Sequence, residues 1–142
     1  MKNNFFLIIL GLIIGTCITV YAVNSENVGF ISKDEMKKYY LNSKLFVLTS
    51  YTEAFGLVLI ESMSYKVPCI AFDSADGACE LLKNNVGILV KERNKDKMAK
   101  EIIRLLNHKK ELMKYSDNGY KSCQKYLINN VKEEWLNILS ND

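Results

Sequence analysis

Lys44–Thr49, Pro68–Phe72 and Val86–Val90 are apolar runs of strand length, and each is followed by a segment with helical spacing. That alternation constrains the chain more than any other feature. Helices are expected over about Phe55–Tyr65, Ala78–Lys83, Lys95–Asn107, Lys109–Tyr126 and Asn130–Leu139. Strands separated by helices through short connections predict βαβ units, and so a parallel sheet covered by helices in an α/β fold. Pro68 stands at the first residue of its strand, where a missing N–H is tolerated. Upstream, after the short apolar piece Gly29–Ile31, Ser32 and Glu35 form a capping-box pattern that predicts a helix from about Lys33 to Leu41.

A chain of 142 residues with about half its side chains apolar fits one packed domain. One Pro and seven Gly exclude collagen-like and low-complexity chains. The formal charge of +3 is too weak to suggest a nucleic-acid partner. Residues 91–142 hold twelve Lys or Arg against eight Asp or Glu, which reads as solvated helix faces. Cys17, Cys69, Cys79 and Cys123 form no C-x-x-C pair, so no metal site is expected. Cys69 and Cys79 read as inert core residues. Trp135, Tyr120 and Tyr126 read as core residues of the terminal helices, and His108 as a helix-end residue.

Phe5–Val23 is a run of 19 residues without a charge. Its length suits a bilayer span of about 20 residues, which predicts an N-terminal apolar helix. Lys2 and the approximate cleavage pattern Val20-Tyr21-Ala22 also fit a signal peptide. Residues 1–23 are therefore expected to be a signal peptide or transmembrane anchor, with the folded domain over 24–142. The expected location is a membrane-anchored domain facing the cytoplasm; the alternative is secretion after cleavage. Gly11 and Gly15 make a G-x-x-x-G spacing, common by chance in apolar runs.

Ligands of parallel α/β sheets bind at the carboxyl ends of the strands. Here those ends carry the loops Ser50–Phe55 and Asp73–Gly77. The first loop enters a helix through Gly56, where free N–H groups and the helix dipole attract an anion such as a diphosphate. Glu53 precedes that start and Glu61 follows it. A carboxylate accepts up to about four hydrogen bonds, which suits vicinal hydroxyls of a sugar or ribose. A phosphate held between two such carboxylates would describe a nucleotide sugar. The same Glu53 would be stabilised by the dipole without any ligand, and Glu61 would serve equally as an exposed helix residue. In the second loop Asp76 reads as a helix N-cap, or else, like Glu80, as a hydrogen-bonding partner of a sugar.

The stretch from about Gly29 to Leu139 resembles the carboxyl-terminal, donor-binding domain of family-four retaining glycosyltransferases, which have the GT-B fold. Ser50-Tyr51-Thr52-Glu53-Ala54-Phe55-Gly56-Leu57 through Glu61-Ser62-Met63 looks like their S-x-x-E-x-F-G-L-x-x-x-E-A-M signature. Val67-Pro68-Cys69-Ile70-Ala71-Phe72-Asp73, Gly77–Leu82 and Asn85–Val90 resemble the segments that follow it. The resemblance implies a Rossmann-like half of a GT-B fold. It also implies transfer of a hexose from a nucleotide-sugar donor, such as a UDP-sugar, to a cell-surface polysaccharide or lipid-linked acceptor. Glu53 would be catalytic and bind donor-sugar hydroxyls. Ser50 and the backbone N–H groups around Phe55, Gly56 and Leu57 would hold the donor diphosphate, and Glu61 the ribose. Asp76 and Gly77 would touch the sugar or serve structure. No cofactor or metal is implied. The family's basic pair for the diphosphate has no counterpart, since Lys33, Lys37 and Lys38 lie on the far side of the capping box. The early strands of the donor domain and an acceptor-binding domain are not identified, so a separate acceptor-binding domain is an expected partner. The alternative is a membrane-tethered, nucleotide-sugar-binding remnant without activity.

Overall fold

A computed structural model describes residues 6–11, 19–22, 26–29 and 32–140, with side chains from residue 32 onward. The chain runs β1 (Phe6–Gly11), β2 (Thr19–Ala22), β3 (Glu26–Gly29), α1 (Lys33–Asn42), β4 (Ser43–Leu48) and α2 (Leu57–Ser64). It continues through β5 (Cys69–Phe72), α3 (Asp76–Leu82), β6 (Ile88–Val90), α4 (Lys95–Asn107), α5 (Lys109–Cys123) and α6 (Ile128–Leu139). The sheet order is β3-β2-β1-β4-β5-β6. β1, β4, β5 and β6 are mutually parallel neighbours, while β2 and β3 add an antiparallel edge.

β4 and β5 carry the core because both their faces are covered. Phe46, Leu48, Cys69 and Ala71 point to one face, where Tyr40 of α1, Leu59 and Met63 of α2, and Leu81 of α3 pack. Leu45, Val47, Ile70 and Phe72 point to the other, against Met98 and Leu105 of α4. The period-two alternation of strand side chains sorts one continuous apolar run into two cores. The α/β reading of the sequence therefore holds from α1 to α5. So does the capping box: Glu35 N–H donates to Ser32 Oγ at 3.3 Å, and Ser32 N–H donates to the Glu35 carboxylate at 2.9 Å. The Ser32 N–H and the Ser32 hydroxyl, which donates at 2.7 Å, hold the Glu35 carboxyl below its usual range.

The expected N-terminal apolar helix is corrected. Phe6–Gly11 is a strand lying parallel to β4, with Ile9 opposite Val47, and Thr19–Ala22 is its antiparallel neighbour. The physical reason is that a strand flanked on both sides in a parallel sheet reads as an unbroken apolar run, as a membrane span does. Among the described residues no helix is long and apolar enough to cross a membrane. β1 thus adds one parallel strand ahead of β4 that sequence reasoning did not identify. Lys2, Gly15, Cys17, Phe30 and Ile31 lie outside the described residues.

Two core expectations change. Trp135 is 60% exposed, and α6 contains no buried residue. Ile128, Leu136, Ile138 and Leu139 are exposed on the same helix. Tyr120 is also exposed, and Tyr126 is half-buried. Periodicity reports that a helix is amphipathic, but not what covers its apolar side. Cys69 and Cys123 are buried as free thiols, whereas Cys79 is only partly buried. His108 sits between α4 and α5 with Nδ1 2.7 Å from the Arg104 carbonyl, a helix-end position as read.

Ile9→Pro removes a ladder hydrogen bond from an interior strand. It is expected to lower the urea unfolding midpoint clearly; an unchanged midpoint would exclude β1 from the sheet. Burial pushes the Cys69 thiol up from its ordinary 9.0 to about 12, and burial pushes the Tyr40 hydroxyl up as well. Both groups keep their protons better in the folded state, so the stability they contribute is full below pH 9 and falls as pH rises towards 12. Cys69→Ala should flatten that alkaline decline in stability, measured by urea titration across the window.

Candidate active site at the carboxyl edge of the parallel sheet

β4 ends at Leu48, and the chain leaves the sheet as an irregular loop before α2 begins. Gly56 opens α2 in the left-handed region (φ 81°), a conformation that glycine adopts without a Cβ clash. No side chain caps the helix start from that residue. Instead Gly56 N–H donates to Glu53 Oε1 at 3.1 Å. Glu53 thus stands where the dipole favours a negative charge, and its carboxylate occupies one of the free amides.

The loop is pinned from the side by α3. Gly77 N–H donates to the Glu53 carbonyl at 2.8 Å. A Cβ on Gly77 would sit 2.7 Å from the Phe55 carbonyl carbon and 2.8 Å from the Glu53 carbonyl oxygen. Only glycine lets α3 approach that backbone so closely. Gly77 is therefore a packing residue of the loop. Asp76 is the first residue of α3; the N-cap is Ala75, with no side-chain cap bond. The N-cap expectation for Asp76 is corrected, because capping requires the extended residue before the helix, which is Ala75. Glu80 is engaged with Lys83 at 2.7 Å on the surface.

Ser50 is buried and its Oγ has no hydrogen-bond partner. Phe55 and Leu57 are exposed on either side of Gly56, and the Phe55 ring meets Tyr126 edge-on with centroids 5.6 Å apart. Glu61 lies one turn into α2. Its Oε2 accepts from the Tyr40 hydroxyl at 3.4 Å, and the Tyr40 ring is stacked on Tyr65 with centroids 5.4 Å apart. Glu61 lines a cleft of about 220 Å³ between α1 and α2, with Lys33, Met36, Lys37, Tyr40, Ser64 and Tyr65. Glu53 does not line it.

The structure thus gathers Ser50, Glu53, Phe55, Gly56 and Gly77 into one loop network, and sets Glu61 in an adjoining cleft. It also places Lys33 and Lys37 in the cleft of Glu61. α1 and α2 pack on the same face of the sheet, which brings Lys33 and Lys37 beside Glu61. Sequence reasoning missed Arg93. Its guanidinium donates to the carbonyls of Thr49 at 3.0 Å and Ser50 at 2.9 Å, and to Ser74 Oγ at 2.8 Å. A signal was available, since Arg93 directly follows the third apolar run, at a carboxyl end where ligands of such sheets bind.

Arrangement and topology define the class: a Rossmann-like α/β half in which a glycine-started helix and flanking carboxylates meet at the carboxyl edge. The family description "Glycosyl transferases group 1" matches residues 21–122, and the chain belongs to that family. It is 31% identical to a PP-undecaprenol alpha-1,4-N-acetyl-D-galactosaminyltransferase of Campylobacter jejuni, over 80% of this chain and 32% of that protein. It is 32% identical to the poly(ribitol-phosphate) alpha-N-acetylglucosaminyltransferase of Staphylococcus aureus, over 68% of this chain and 20% of that protein. The solved structure of TarM superposes on 75% of the chain and 22% of its own length, with a TM-score of 0.62 and 31% identity. The chain therefore spans only a fifth to a third of the length of such relatives.

Gly77→Ala should cost about 1–3 kcal/mol by overpacking against backbone that has no room to yield. Thermal unfolding of the variant beside the parent measures it, and an unshifted midpoint would show that α3 does not press on the Glu53–Phe55 backbone.

Proposed function

We propose that this chain supplies the donor-binding half of a glycosyltransferase that takes a hexose from a nucleotide-diphosphate sugar, with a UDP-sugar as the favoured donor. The observation that carries the reading is the left-handed Gly56 opening α2, with Glu53 just before it and Glu61 one turn after it. Free amides at that helix start would receive the diphosphate. The positive end of the helix would stabilise the negative charge that develops on the leaving diphosphate, without a metal ion in that role. Glu53 would exchange its bond to Gly56 N–H for the hydroxyls of the donor sugar. Glu61, oriented by Tyr40, would hold the ribose hydroxyls in the cleft between α1 and α2. The leaving group departs as the nucleoside diphosphate, and the glycosidic bond forms with retention of configuration, as the family resemblance implies.

The acceptor is proposed to be a polysaccharide or lipid-linked glycan, in keeping with the names of the relatives. Its binding is assigned to a second domain, because donor and acceptor must be held in fixed relative geometry for transfer. The uncovered apolar side chains of α6 give such a domain a surface to close on. Nucleotide sugars are made in the cytosol, so the reading puts the donor site there.

Calorimetric titration of the full-length chain with UDP and UDP-hexose tests this reading. The whole chain is needed, because removing residues 1–23 would strip β1 and β2 from the sheet. Glu61→Ala should weaken binding by about 1.5–3 kcal/mol, roughly ten- to hundredfold, through the loss of charge-assisted hydrogen bonds to the ribose. A folded parent with no binding at millimolar ligand would overturn the donor-site reading and leave a domain that keeps the fold without the chemistry.

A further inference from the structure

Glu92 and Arg93 are consecutive residues with positive φ, 59° and 49°. Residues with a Cβ seldom adopt that region, and it persists only where the surroundings impose it. They do so here. Glu92 N–H donates to Asp73 Oδ1 at 3.1 Å, and Asp73 N–H donates to the Val90 carbonyl at 3.1 Å. The turn after β6 is thereby clamped to the end of β5, and Arg93 reaches back across the strand ends.

Its guanidinium carbon lies 3.5 Å from the Tyr51 ring centroid and 4.6 Å from that of Phe72. Beside those rings its nitrogens donate to the Thr49 and Ser50 carbonyls and to Ser74 Oγ. One side chain joins the exits of β4, β5 and β6. No described carboxylate forms an ion pair with it. A planar fork that donates in several directions while lying against two aromatic rings is a geometry that arginine satisfies and lysine does not.

Thr49 and Ser50 are the residues from which the Glu53–Gly56 segment departs. Ser50 is 3% exposed and its hydroxyl is unpaired, so its own side chain contributes no hydrogen bond that would hold it there. We propose that Arg93 is the positioning residue of the donor site. By gripping the Thr49 and Ser50 carbonyls, it fixes the direction in which the loop leaves β4, and so the placement of Glu53 and Gly56 for the diphosphate sugar. The ligand in this inference rests on the donor-site reading above; the positioning itself does not.

The test uses the full-length chain with Arg93→Lys and Arg93→Ala. UDP affinity is measured by calorimetry, and amide hydrogen exchange is followed at Gly77, whose N–H bonds the Glu53 carbonyl, and at Phe46, whose N–H bonds the Pro68 carbonyl within the sheet. Both variants should lose UDP affinity about tenfold and speed Gly77 exchange by about tenfold, with Phe46 exchange unchanged. Full affinity in Arg93→Lys would show that charge alone suffices and overturn the positioning role. Unchanged Gly77 exchange in both variants would overturn it equally. If the parent binds no UDP, the donor reading fails, while Gly77 exchange still decides the role of Arg93. Should Arg93→Ala fail to fold, Arg93→Lys and Tyr51→Ala carry the test, the latter removing one stacking face at an exposed position. Both should keep cooperative unfolding and lose affinity, and retained affinity in either would overturn the proposal.

Discussion

The parallel pairing of β4 with β1 on one side and β5 on the other is the constraint from which the rest follows. It makes β4 an interior strand, and with helices packed on both faces of the sheet Leu45 to Leu48 are all buried and apolar. It also forces the chain to leave the sheet at one edge, where backbone groups past Leu48 have lost their ladder partners and must find others. The Thr49 and Ser50 carbonyls find Arg93, and the Glu53 carbonyl finds Gly77. The candidate site is the set of backbone groups and carboxylates held in place by that search for partners.

Two elements outside the central strands matter for how the site is shaped. Gly77 lets α3 press against the loop backbone at a distance no Cβ would allow. Tyr40, stacked on Tyr65 and tilted against Phe46, brings a hydroxyl from α1 to Glu61 on α2. In the proposed function the first contact would bear on the donor-sugar side of the loop and the second on the ribose side. They arise from different helices, which is why Glu53 and Glu61 stand in adjoining rather than shared surroundings.

Uncovered surface tells a complementary story. α6 presents Ile128, Trp135 and Leu139 to solvent. A helix with that much exposed apolar surface is only half of a contact. It is the surface that the proposal assigns to the acceptor side.

Much of this was legible in the residues. The order of strands and helices from α1 to α5 follows from apolar runs of strand length interrupted by helical spacing, and the capping box at Ser32 and Glu35 is a local pattern with a local cause. The glycine-started helix with its two glutamates was visible as well, because a free helix start and nearby carboxylates need no distant partner to be recognised. The N-terminal run misled, since Phe6–Gly11 owes its strand conformation to pairing with β4, more than thirty residues downstream. Hydropathy is the same whether the apolar surroundings are lipid or protein. The position of Arg93 just past an apolar run was legible but its role was not, for the same kind of reason: its partners, Thr49, Ser50 and Ser74, converge on it only when β4, β5 and β6 are laid side by side. The sequence by itself determined the class of fold and the loop that holds the candidate site, because these rest on short-range periodicity and spacing, while the Ser50–Met63 signature carried the resemblance to the family. Only the tertiary structure decided which strand neighbours β4, what fixes the direction of the loop and which helix stays uncovered, because these depend on contacts between segments far apart in the chain.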